Sequence, residues 1–145
     1  MNKTEVAFHQ LKRSFLLFAR EKDYLSALTL AGAADEILGK LVAKSDQSDT
    51  TALEDDVDLI RAIMLKLGDS VTENEIRDYL LYPRNAAKHL LVGTRSDFTF
   101  DIREEAESFI ERAVNNYYTV TGWWPDDPSY DEFLKAQETL NEEMA

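Results

Sequence analysis

The chain contains no cysteine, which excludes disulfides and thiolate metal sites. Three prolines and five glycines in 145 residues are too few for a turn-rich β fold and leave room for long helices. No stretch approaches the ~18 apolar residues of a membrane span. The opening Met1-Asn2-Lys3-Thr4-Glu5 has no apolar run of the signal-peptide kind, so a cytoplasmic protein without membrane association is expected. Basic residues are also scarce. Sixteen stand against 28 acidic ones, and a net charge of −12 argues against a general nucleic-acid coat. What is present is ordinary for one globular domain, with 44% hydrophobic and 30% charged residues.

The apolar residues recur at helical spacing. Phe8, Leu11, Phe15 and Phe18 form a stripe over residues 4–20, with His9 at its surface or boundary. Asp23 can cap a second helix to about Lys44, whose middle is small: Ala27, Ala31, Gly32, Ala33, Ala34 and then Gly39. Two glycines inside a helix point to close contact with a neighbour. Glu36 lies on the face of Gly32 and Lys40 and reads as a solvated partner of Lys40. After a polar loop at 45–50, Leu53, Val57, Ile60, Met64 and Leu67 step 4, 3, 4, 3. Glu54, Asp55, Asp56 and Asp58 suit that helix's positive end and point in different directions, so they do not read as a metal cluster. Thr72 to Glu75 fits a capping box for a short helix that breaks at Tyr82-Pro83. Asp101 caps a long helix with Ile102, Ala106, Phe109, Ala113, Tyr117 and Val120 inward. Trp123-Trp124-Pro125 reads as a turn anchoring the tail, and Ser129 as the cap of a last helix bearing Phe133, Ala136 and Leu140. The expectation is an all-α, antiparallel bundle of four to six helices, with residues 1–122 as the body and 123–145 packed on it.

One stretch stands apart: Tyr82-Pro83-Arg84-Asn85-Ala86-Ala87-Lys88-His89. It carries one of the two histidines, and residues 76–95 hold four basic groups against one acidic in this acidic chain. On charge alone this is ordinary variation among solvated faces. Pro83 suits the first position of a helix running on to Gly93. Asn85 and His89, four apart, then share a face. Arg84 would stand beside the free N–H groups of the helix start, a natural place for an anion. Lys88 lies four residues from Arg84, and two like charges at that spacing favour something negative between them.

Arg84-Asn85-Ala86-Ala87-Lys88-His89, with its polar residue after the arginine and its helical setting, resembles the Arg-x4–6-His motif of the HEPN superfamily (higher eukaryotes and prokaryotes nucleotide-binding domains). The small-residue helix around Ala27–Leu38 resembles the second helix of some bacterial HEPN-like proteins. Some family toxins carry a tyrosine two residues after the histidine, where this chain has Leu91, so no tyrosine role carries over. The resemblance implies a metal-independent endoribonuclease acting as a homodimer with a composite site, such as a toxin or defence component with a cognate antitoxin or partner protein. Arg84, Asn85 and His89 would be catalytic, Lys88 would bind RNA, and neither metal nor cofactor would be needed. It equally implies a catalytically silent module binding a nucleotide or a protein.

The residue types suit that chemistry. Metal-free RNA cleavage needs a base for the 2′-hydroxyl, an acid for the departing 5′-oxygen and positive charge on the phosphorane. Histidine transfers protons near neutral pH, and arginine clamps phosphate oxygens. Asn85 can orient the imidazole or bind the ribose. One chain offers one such histidine, so a two-fold dimer would complete the site. The plainer alternative is that Arg84 and His89 pair with acids or carbonyls inside the bundle, in a structural protein whose tail docks a partner.

Overall fold

The computed structural model describes residues 1–45, 51–89 and 101–144, and for residues 86–89 the backbone alone. The described residues form six helices and no strand: α1 (Lys3–Leu16), α2 (Tyr24–Ala43), α3 (Ala52–Lys66), α4 (Glu73–His89), α5 (Ile102–Thr121) and α6 (Pro128–Met144). The all-α bundle read from the apolar spacing is the fold observed. None of these helices is long and apolar enough to cross a membrane. The expected loop at Gly93–Asp97, the extended link at Phe98–Phe100 and residues 46–50 of the polar loop lie outside the described residues.

Local chemistry explains most helix starts. Asn2 and Glu5 exchange side-chain and backbone hydrogen bonds in a capping box at α1. Asp23, Thr51 and Asp101 each accept a backbone N–H in the first turn of α2, α3 and α5. Thr72 accepts the Glu75 N–H at 3.2 Å ahead of α4. At α6 the cap is Asp127 rather than Ser129. The Asp127 carboxylate accepts both the N–H and the hydroxyl of Ser129, which lowers its pKa. Pro128 then takes the first helical position, where its missing N–H is no loss.

α1 passes into a π-helical turn at Leu17–Glu21 that closes on Lys22, in the left-handed region at φ 53°. Both Leu17 and Phe18 face the core from this turn. Phe133 of α6 packs against Phe15 and Phe18, with ring centroids 5.6 and 5.1 Å away. The most extensive helix pair is α2 with α5, followed by α1 with α2. Ala27, Ala31 and Ala34 are fully buried there, and their small side chains let the neighbouring backbones approach.

The structure corrects several expectations. Leu67, at the end of the α3 stripe, is 76% exposed and Ile102 is also at the surface; among the described residues no other helix covers those ends. Trp123 is 75% and Trp124 52% exposed; Trp124 stacks on Tyr118 of α5, but Phe133, Tyr130 and Leu140 supply the tail's packing against the core. Pro83 does not begin a helix. It lies inside α4 and is buried, with Ile76 buried two turns earlier on the same face and Leu81 against the core. Proline inside a helix removes one hydrogen bond and costs ~3 kcal/mol, so here apolar burial overrides the local break.

Candidate functional site

α4 crosses α2 at Gly32. A Cβ added to Gly32 would lie 2.6 Å from Cγ and 2.9 Å from Cδ of Arg84. The glycine is therefore where the stem of Arg84 rests on the α2 backbone, and this is the close contact that the small-residue helix suggested. Among the described residues, the Arg84 guanidinium donates from Nε and Nη2 to Asn85 Oδ1, both at 3.4 Å. Asn85 thus holds the arginine. Because α4 begins at Glu73, its own free N–H groups lie well before Arg84, and the anion clamp expected from a helix beginning at Pro83 is not formed.

One turn beyond Gly32 on α2 lies Asp35, 4% exposed. Its Oδ1 accepts a hydrogen bond from Asn116 Nδ2 of α5 at 3.0 Å. Burial raises its pKa from 3.8 to about 6, against the pull of Arg112, Arg84 and the Asn116 hydrogen bond. The Asn116 carbonyl accepts the Ala52 N–H at 3.0 Å, so one amide ties α2, α5 and the start of α3 together. Behind it Arg112, 5% exposed, lies 3.4 Å from Asp56 and 4.3 Å from the centroid of the Phe109 ring. Its Nε and Nη1 are buried without a hydrogen-bond partner among the described residues, so charge and ring contact hold it. Burial raises the pKa of Asp56 and Glu105 despite the Arg112 charge.

Arg84, Asp35 and Asn116 open onto a cavity of about 330 Å³, shared with Glu36, Lys40 and Glu54. Glu36 pairs with Lys40 at 3.6 Å, as the helical spacing led one to expect. His9 is exposed on α1, far in sequence from this set. α4 runs unbroken through Lys88 to His89, so Asn85 and His89 keep the four-residue register of one face. The side chains of Lys88 and His89 lie outside the described residues. Among the described residues no three His, Asp or Glu side chains gather as a metal site.

The structure therefore joins Arg84 and Asn85 to two residues that the sequence reading passed over, Asp35 and Asn116. A signal for each was present. Leu28, Ala31, Asp35, Leu38 and Val42 step 3, 4, 3, 4 along α2, and all five are buried. Ala106, Phe109, Ala113 and Asn116 step 3, 4, 3 along α5 and are buried too. A lone carboxyl and a lone amide in register with apolar stripes mark a buried polar pair. No protein-family model, no curated protein and no solved structure matches this chain.

Proposed function

We propose that the chain is a HEPN-like, metal-independent endoribonuclease, a toxin or defence component whose site is completed in a homodimer. The observation that carries the reading is Arg84 lying across Gly32 on the rim of an open cavity, beside a buried carboxyl that titrates near 6. Arg84 binds the non-bridging phosphate oxygens and offsets the charge that grows on them. A base removes the 2′-hydroxyl proton, the 2′-oxygen attacks phosphorus, and the 5′-oxygen leaves with a proton from an acid. The two copies of His89 take those roles across the dimer axis, since each chain has one histidine on this helix. Asn85 holds the guanidinium. Lys88 adds charge for the RNA backbone.

Asp35 acts through Arg84. Once ionised it neutralises part of the guanidinium charge, and while protonated it leaves that charge for phosphate. The acid lining supports a second reading. Asp35, Glu36 and Glu54 share the cavity with Arg84 and Lys40, a setting hostile to a polyanion but open to one nucleotide. A catalytically silent module binding a nucleotide or a partner protein is that alternative.

A fluorogenic RNA cleavage assay with EDTA present tests the proposal, with Arg84→Ala and His89→Ala checked for folding by circular dichroism. Cleavage that survives EDTA and falls at least ~100-fold in each folded variant is expected. Parent-level cleavage by folded Arg84→Ala rejects the assignment. No cleavage by the parent, with nucleotide binding that Arg84→Ala abolishes, selects the silent module. Light scattering showing only monomer at micromolar concentration removes the composite site.

A further inference from the structure

α5 ends at Gly122, whose φ of 82° turns the chain in the left-handed region while its N–H bonds Tyr118 O at 2.7 Å. The Thr121 hydroxyl accepts the Trp123 N–H at 3.2 Å and lies 2.8 Å from Tyr117 O. On the far side Pro125 is buried and Asp127 caps α6. The turn is fastened at both ends, so its exposed rings are held in place. Trp124 stacks on Tyr118 with centroids 4.5 Å apart. Trp123, Trp124, Tyr118 and Leu134 all remain exposed. Monomers rarely leave such a patch bare without a use, and Trp and Tyr are the residues interfaces favour.

Beside the rings is a cavity of about 270 Å³, walled by Trp124, Tyr130, Leu134 and Gln137, with Phe133 behind and Glu111 at its edge. That is below the ~300–1,000 Å³ of drug-sized ligand sites and suits one long side chain. The surroundings are acidic. Gln137 bonds Glu111, and the charges of Asp131 and Glu111 add to burial in raising the Tyr130 pKa. Residues 96–145 as a whole carry thirteen acidic and three basic groups. Aromatic faces beside carboxylates attract a cation and repel phosphate.

We propose that this aromatic, acidic turn docks a lysine- or arginine-bearing segment of a partner protein, one basic side chain entering the cavity between Trp124 and Glu111. The site lies apart from Arg84 and does not depend on the ribonuclease reading.

The two tryptophans of the chain both sit in this turn, so intrinsic emission reads the site directly. The experiment titrates the full chain with tetra-arginine amide, using tetra-citrulline amide as the neutral probe of like shape. Saturable 1:1 emission change is expected with arginine and not with citrulline. Trp124→Ala, read through Trp123, weakens it about tenfold, and Glu111→Gln, on an exposed helix face, weakens it several-fold. Circular dichroism confirms that both variants fold, and a Trp124→Ala that does not fold leaves Glu111→Gln as the deciding variant. Equal binding of citrulline, parent affinity in folded variants, or no arginine binding up to millimolar concentration overturns the proposal. Parent affinity in the variants would mean diffuse attraction to a chain of charge −12.

Discussion

Two parts of the bundle treat apolar surface in opposite ways. α1, α2, α5 and α6 close over Phe15, Phe18, Leu28, Leu38, Phe109 and Phe133, all buried. From α3 and α4, the buried apolar residues among those described are Val57, Ile76 and Pro83, while Leu59, Ile63, Leu65, Leu67 and Tyr79 stay exposed. The candidate site lies on the seam between the two. Its carboxyl and amide, Asp35 and Asn116, belong to the tightly packed pair α2 and α5, and its cation rides on the sparsely packed α4. Sparse burial goes with low local stability. The division leaves the carboxyl and amide on the densely buried frame, while Arg84 stands on the helix with fewer buried apolar residues among those described.

The comparison breaks most visibly through core truncation. Phe109→Ala should lower stability by ~3–5 kcal/mol in urea denaturation, the range for a fully buried aromatic. A loss under ~1 kcal/mol would mean that α5 is not the frame.

Asp35→Asn sharpens the same point through pH. The folded pKa of about 6 exceeds the ordinary 3.8, so the folded chain binds more protons between those values. Stability from this group is therefore greatest near pH 4, falls as pH rises to about 6, and is level above that. Asp35→Asn keeps an acceptor for Asn116 and should lack that slope, gaining up to ~3 kcal/mol at pH 7. Urea denaturation at pH 4 to 7 checks it, and an unchanged slope would move the titration to Glu105 or Asp56.

A smaller effect is expected from Gly32→Ala. Alanine favours a helix by ~1 kcal/mol over glycine, but the new methyl would occupy the place of the Arg84 stem. Stability should change by no more than ~1 kcal/mol while any phosphate or RNA affinity of the site falls. Affinity measured by fluorescence anisotropy that matches the parent would show that Arg84 does not act from above Gly32.

The smallest effect belongs to the exposed face of α3. Ile63→Ala should shift the denaturation midpoint by less than ~0.5 kcal/mol equivalent. A loss near that of Phe109→Ala would mean that this face is covered in solution and that the two parts do not differ as described.

Much of this arrangement was open to reading before any coordinates. The fold class, the caps at Asp23, Thr72 and Asp101 and the close contact at Gly32 follow from residue type and spacing. Asp35 and Asn116 were legible in principle, since each keeps the 3–4 rhythm of a buried stripe, yet a polar residue in such a stripe reads first as an interruption. Arg112 keeps the same rhythm, three residues after Phe109 and four before Asn116, but an arginine reads first as solvated, and only the fold brings Asp56 beside it.

By itself the sequence determined the helices, most of their starts and the place of Arg84 beside Asn85, because periodicity, capping and one-turn spacing act within a few residues. The tertiary structure alone decided that Pro83 rides inside α4, that Asp35 loses its water and that Leu67 and the two tryptophans keep theirs. The reason is physical: a stripe says which face of a helix is apolar, but whether that face is buried depends on another helix arriving to cover it.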